Sequence, residues 1–347
     1  MAKQISIIGN GFLKKQKIRY VLLAFMGLSI SMVSPVFSAN MPDSITLIQQ
    51  LGIKQQDLAS LDQGEIVFFN VPGSSENELT TGAAMYLPVE SSKIIELIKR
   101  EDLQSMDTAV IAAGVIPLQA TQDAFKGFAF RTGSDDAEDF LAATPGSQFN
   151  LSTQEYQIIR AINTALPDAA SEVYRKILWQ RWQSYRKTGL MGVATYDRGD
   201  GAEANPGQEL QTAALEDKVL AHYFSELFKA WLNYPVAFPM GVEEAFFWSN
   251  REIQGSPTAI LVHRVMLSER GGYLILTRQF YAGHSFNSNQ LVVVCLPYRN
   301  GSLVFYENRN FTDQVTGFGS VLKHVIGNSM AQSEISKLLK NLRKSLK

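Results

Sequence analysis

Cysteine is almost absent from this chain: Cys295 is the single one in 347 residues. An internal disulfide is excluded, so stability has to come from core packing. Cys295 sits in the apolar run Leu291–Leu296, where a small buried hydrophobe is expected rather than a nucleophile. No cysteine lies near the end of the N-terminal apolar run, which excludes lipid attachment there. Histidine is scarce, and His222, His263, His284 and His324 show none of the spacings of a helical metal motif. His222 and Glu226 lie one helical turn apart, but two ligands alone do not make a site, and neither a metal nor a cofactor is expected. A basic excess is lacking too. Five of the 32 Lys and Arg precede residue 40 and none of the 33 Asp and Glu do, leaving the remainder near −6. That balance argues against a nucleic-acid partner, which calls for a basic footprint. Internal repeats and low-complexity segments are missing.

The one long apolar run is N-terminal. Lys14, Lys15, Lys17 and Arg19 precede Tyr20–Val33; Pro35 breaks the run, and Ser38 and Ala39 follow. This order describes a secretory signal peptide over residues 1–39, cleaved near Ser38–Asn40. The run is shorter than the roughly 18–20 residues of a spanning helix. The expected location is the periplasm, the alternatives being the external medium or an uncleaved N-terminal anchor. Ile7-Ile8-Gly9-Asn10-Gly11 imitates the opening of a dinucleotide fold, but Lys14 replaces the third glycine and no acidic ribose ligand follows at the required distance.

Residues 40–347 read as one domain of ordinary globular composition. Residues 40–149 carry sixteen acids against six bases, and the remainder is net basic. After Glu334 come Lys337, Lys340, Arg343, Lys344 and Lys347 with no acid, a tail helix with either a solvated face or a peripheral contact with anionic lipid. A short helix is expected before Gly52, strands over 64–71 and 80–87, a helix over 89–100, and further strands over 109–117 and 125–131. Ser152-Thr-Gln-Glu155 is a capping box. Helix follows to Leu166, restarts after Pro167 and runs to Lys187, and a second long helix is expected from Pro206 to Tyr234. Five strands then follow, at 242–253, 258–267, 273–281, 290–298 and 302–308, with hairpin turns at Gly271-Gly272 and Asn300-Gly301. A final helix carries the stripe Leu322, Val325, Ile326, Met330, Ile335, Leu338, Leu339, Leu342 and Leu346.

Strand, helix, antiparallel meander and a long final helix, over residues 62–131 and 242–346, make an order that resembles the helix-grip fold of START-like and polyketide-cyclase-like proteins. The resemblance implies an α+β fold in which a curved antiparallel sheet wraps the C-terminal helix around a deep apolar cavity. The helical block 133–238 departs from that pattern and is expected to be an insertion, lidding the cavity, or else a separate domain. Residues 280–319 also resemble an uncharacterised family of secreted proteobacterial proteins, which supplies no function.

Polar and aromatic residues of the meander are the candidate ligand-binding set: Trp248, Arg264, Arg278, Tyr281, His284 and Asn287. An arginine inside an apolar cavity is an anchor for a carboxylate or phosphate head group; on the outer face it is ordinary surface. Gly283-His284-Ser285-Phe286-Asn287 resembles the lipase elbow but lacks the final glycine, and a strand follows it where the elbow needs a helix. Asp197–Glu203 has a calcium-loop look without the alternating acids, and reads as a solvated loop between helices. On the helix before Gly189, the rings of Tyr174, Trp179, Trp182 and Tyr185 are expected to pack inward while Arg175, Arg181 and Arg186 face water. The resulting expectation is an exported protein that binds a hydrophobic small molecule or lipid without catalysis. The alternatives are a hydrolase or cyclase-like enzyme with His284 as general base, and a structural partner in an envelope complex.

Overall fold

A computed structural model describes residues 41–99, 107–146, 148–162, 168–317 and 319–346. The signal-peptide segment and residues 163–167, where the first of the two expected helices is read to end, lie outside the described residues; the restart after Pro167 is present as the helix Ala169–Thr188. The chain begins with helix α1 (Ser44–Gln50), whose first turn is capped by Asp43 accepting from Thr46 N at 2.9 Å. After α2 (Leu58–Asp62) come β1 (Ile66–Phe69), β2 (Glu78–Leu87), α3 (Ser91–Lys99) and β3 (Val110–Ile116). The helical block contains α4 (Asp136–Leu141), α5 (Thr153–Arg160), α6 (Ala169–Thr188), the hairpin β4 (Tyr196–Gly199) and β5 (Ala202–Ala204), then α7 (Pro206–Leu215), α8 (Lys218–Tyr223) and α9 (Ser225–Leu232). The meander β6 (Val242–Ile253), β7 (Ser256–Glu269), β8 (Gly272–Ala282), β9 (Ser288–Tyr298) and β10 (Gly301–Phe311) leads to α10 (Ser320–Ser345).

Eight strands form one antiparallel sheet in the order β1-β2-β10-β9-β8-β7-β6-β3. The β6–β7 and β7–β8 loops are Gln254-Gly255 and Arg270-Gly271, each pair at positive φ, the mirror-image turn that suits strand twist. The second turn therefore sits one residue earlier than expected, because Arg270 takes the left-handed position and Gly272 begins the strand. Opposite Leu261 and Val262 of β7, Phe280 of β8 is an extra, unpaired residue, a bulge that bends the sheet.

The sheet is covered on both faces. On one, Ile335 and Leu339 of α10 and Ile94 and Ile95 of α3 pack on Ala83, Met85, Ile275, Val293, Cys295 and Val304. Cys295 is buried as expected, and burial pushes its thiol up to about 11. On the other face the helical block and α1 meet residues of opposite parity. Tyr174, Trp182 and Tyr185 of α6 pack on Phe246, Trp248, Leu261 and Phe280. Leu220, Leu227 and Trp231 pack on Leu274, Leu276, Val292 and Phe305. The block thus backs the sheet on the side away from α10. It does not lid that side, because the aromatic positions of β6 and β8 that it covers point away from α10.

Three local expectations change. Residues 125–131 are no strand: the Phe130 amide donates to Ser171 Oγ at 3.2 Å, and Phe128 and Phe130 enter an aromatic cluster around Tyr174. The helix from Pro206 is three helices, because Asp217 starts a new one by accepting from Leu220 N at 2.8 Å and Phe224 leaves helical geometry at φ −131°. Asp197–Glu203 is a hairpin rather than an open loop.

α10 approaches β2 closely at Gly327, where a Cβ would stand 2.8 Å from Leu79 Cδ1. Only the second half of its stripe is seated: Ile335 and Leu339 are 3% and 4% exposed, against 66% for Leu322 and 62% for Val325. Leu339→Ala should therefore cost about 2–5 kcal/mol in urea unfolding, whereas Val325→Ala should stay within about 0.5 kcal/mol of the parent.

Candidate functional site

Between α10 and the sheet lies a cavity of about 450 Å³. Phe247, Ile260, Val262, Ile275, Val293 and Val304 form its apolar floor, with Ile335, Leu338, Leu339 and Leu342 above. It opens into a wider mouth of about 860 Å³ between the β6–β7 hairpin and the first half of α10, where Ile326 and Met330 remain exposed. At the junction, Arg251 Nε donates to Asp107 Oδ2 at 2.6 Å, and its Nη2 lies 3.9 Å from Glu334 Oε2. The second contact links β6 to α10 across the entrance, and the first ties β6 to the segment before β3.

Of the six candidates read from the sequence, Arg264 reaches this cavity, its guanidinium 5.1 Å from the centre of the Phe247 ring. Trp248 has the other parity and points to the far face, its indole donating to Ala124 O at 2.8 Å. Tyr281 is on the far face too, its hydroxyl 2.9 Å from that of Tyr174. Asn287 caps the sheet end, donating to Glu209 Oε1 at 2.8 Å and Asp313 Oδ1 at 3.0 Å while accepting from Arg198 at 2.8 Å. His284 lies in the β8–β9 connection, with Nε2 2.9 Å from Pro257 O and Nδ1 2.5 Å from Ser285 Oγ. Ser285 has φ 72° and lines the mouth.

Arg278 is fully buried on the far face. Its Nη1 donates to Tyr185 Oη at 3.0 Å, its Nη2 to Trp231 O at 3.3 Å, and the guanidinium stacks 4.1 Å from the Trp231 ring. Tyr185 Oη is 2.8 Å from His263 Nδ1, and it donates there because the carboxylate of Glu244, which can only accept, draws the imidazole proton to the other ring nitrogen. His263 is then the neutral tautomer carrying its proton on Nε2, which stands 3.2 Å from Glu244 Oε1. Burial pushes this imidazole down to about 4. Arg181 is likewise buried, against expectation, held to Glu155 at 2.5 Å and stacked 4.3 Å from the Tyr281 ring. Burial works against its charge, but the Glu155 carboxylate beside it keeps its pKa above the ordinary value. A charge on an inward helix face has to be paired in this way.

The cavity floor also contains Thr277, Gln279, Asn289, Tyr306, Asn308 and Asn310, none of them among the six candidates. Their signal is a polar residue at every second position of otherwise apolar strands, legible only once the parity facing α10 is known. Among the described residues no group of three or more His, Cys, Asp or Glu is placed to hold a metal ion, and no helix is long and apolar enough to cross a membrane.

His263 gives the fold an acid sensitivity of definite sign. The unfolded imidazole protonates near its ordinary value of 6.5, the folded one near 4, so the unfolded state binds more protons between those values. This histidine's contribution to stability is present above about pH 6.5 and falls, by about 3 kcal/mol, as pH drops toward 4. His263→Gln should show a correspondingly shallower acid limb in urea unfolding free energy measured between those pH values.

No family model and no curated protein matches the chain. Among solved structures, the crystal structure of Ara h 8.0201 is similar over 41% of this chain and 89% of that one, at 8% sequence identity and a TM-score of 0.19. A superposition this weak assigns no function.

Proposed function

We propose that this is an exported protein that binds a hydrophobic small molecule of lipid type between its sheet and its C-terminal helix, without catalysing a reaction. The observation that carries the reading is the cavity of about 450 Å³, which falls within the ~300–1,000 Å³ range of small-molecule sites and combines apolar walls with a few polar groups. The exposed Leu322, Val325, Ile326 and Met330 lie on the half of α10 beside the mouth, with Lys323 among them, and Lys337, Lys340, Arg343 and Lys344 follow. An apolar stripe flanked by bases suits a transient peripheral contact with an anionic membrane, from which cargo would enter.

A second reading has one observation in its favour. Ser285 Oγ lies 2.5 Å from His284 Nδ1, and burial lowers the pKa of that imidazole and so favours the neutral, base-competent form. A hydrolase using this pair would have its nucleophile at the mouth.

Native mass spectrometry of the protein purified from its own envelope, followed by solvent extraction, tests the first reading. The expected result is a stoichiometric lipid that is lost from Val262→Trp, a variant that fills the cavity floor, with far-ultraviolet circular dichroism unchanged. An empty protein that also fails to take up a fluorescent fatty-acid probe would overturn it. Ester turnover abolished by His284→Ala, with folding retained, would establish the second reading instead.

A further inference from the structure

Two adjacent cross-strand rows of the cavity floor are polar. In one, Thr81 of β2 pairs with Asn308 of β10, which pairs with Leu291 of β9; Leu291 pairs with Thr277 of β8, and Thr277 with Arg264 of β7. In the next, Asn310 pairs with Asn289, and Asn289 with Gln279. The row on the far side of the first is Tyr306, Val293 and Ile275, where the floor turns apolar under Ile335 and Leu339. The floor is thus zoned, with a band of hydroxyls and amides crossing it and a greasy end beyond.

The band is not internally satisfied. Thr277 is 4% exposed, lines the cavity, and its hydroxyl has no hydrogen-bond partner among the described residues. Asn289 Nδ2 donates to Asn308 Oδ1 at 2.7 Å and to Asn310 Oδ1 at 3.4 Å. That leaves the amide nitrogens of Asn308 and Asn310 facing the cavity as spare donors and Asn289 Oδ1 as a spare acceptor. Burial pushes Tyr306 up to about 12, so its phenol stays protonated. A buried hydroxyl without a partner, as at Thr277, is costly, and retaining it beside amides with spare donors and acceptors in an apolar cavity implies a ligand that completes them.

The groups are mostly neutral and mix donors with acceptors, which is the complement of hydroxyls; a carboxylate would only accept. Resting on the cavity reading above, we infer that the site takes a single-chain amphiphile with a neutral polyhydroxyl head, the head seated on Thr277, Asn289 and Asn308 and the chain running over Ile275 and Val293 beneath Leu339.

Calorimetric titration of the full chain with n-octyl glucoside, n-octanol and octanoate, each below its micelle concentration, tests this. The glucoside should bind at least about tenfold more tightly than octanol, because a site built to hydrogen-bond a group penalises the analogue lacking it. Thr277→Val, isosteric and relieved of an unpartnered hydroxyl, should melt no lower than the parent. It and Asn308→Leu should each lose about tenfold toward the glucoside, about 1.4 kcal/mol, while holding octanol. Equal binding of glucoside and octanol, unaffected by either variant, would overturn the head-group assignment while leaving the apolar cavity standing. Tighter binding of octanoate than of glucoside would overturn it in favour of an anionic head at Arg264. Binding of none of the three would remove the cavity reading as well.

Discussion

Everything in this molecule depends on one sheet having to bury both of its faces. Side chains alternate along a strand, so each of β6 to β10 sends one parity toward α10 and the other toward the helical block, except at the β8 bulge, where Phe280 and Tyr281 both face the block. The two parities are chemically unlike. Toward the block go Phe246, Trp248, Phe280 and Tyr281, large rings that fill the space against α6. Toward α10 go branched aliphatics interrupted by threonine and amides, which leave space unfilled. The cavity exists because the bulky residues were committed to the other side.

The packed face holds charge as well as rings. Arg181 is paired with Glu155 within the block and stacks on Tyr281 of the sheet, while Arg278 of the sheet donates to Tyr185 of the block, which in turn meets His263 of the sheet. Buried pairs of this kind add little net stability, since desolvation offsets most of the attraction. Their geometric demand is strict, and a shift of α6 along the sheet would leave a buried charge without its partner. We read them as fixing the register of the block, which keeps the floor of the cavity rigid from behind.

The open face has the opposite character. α10 is held to β2 by the close approach at Gly327 and to the sheet by Ile335 and Leu339, and it leaves Leu322, Val325 and Ile326 uncovered. A helix of 26 residues, roughly 39 Å long by its rise per residue, therefore grips with its second half and overhangs with its first. The Arg251 ion pairs stand where grip gives way to overhang. Local opening is cheapest where few apolar contacts would be broken, and here that place is also the mouth.

The sequence alone determined the meander, the final helix, the capping box at Ser152 and the burial of Cys295, because strand alternation, helical periodicity and local capping are set by neighbours in the chain. It also held the α+β helix-grip order, read through a resemblance. What it could not determine was which parity faces which layer. His263 and Arg264 are adjacent, yet one is sealed against Tyr185 and the other lines the cavity, and the choice between Arg264 and Arg278, or Phe247 and Trp248, turns on the same point. Residues 133–238 read as helix, but nothing local says that they back the sheet instead of lidding it. Those decisions belonged to tertiary structure, because a face acquires its meaning only when a second layer, distant in sequence, settles upon it.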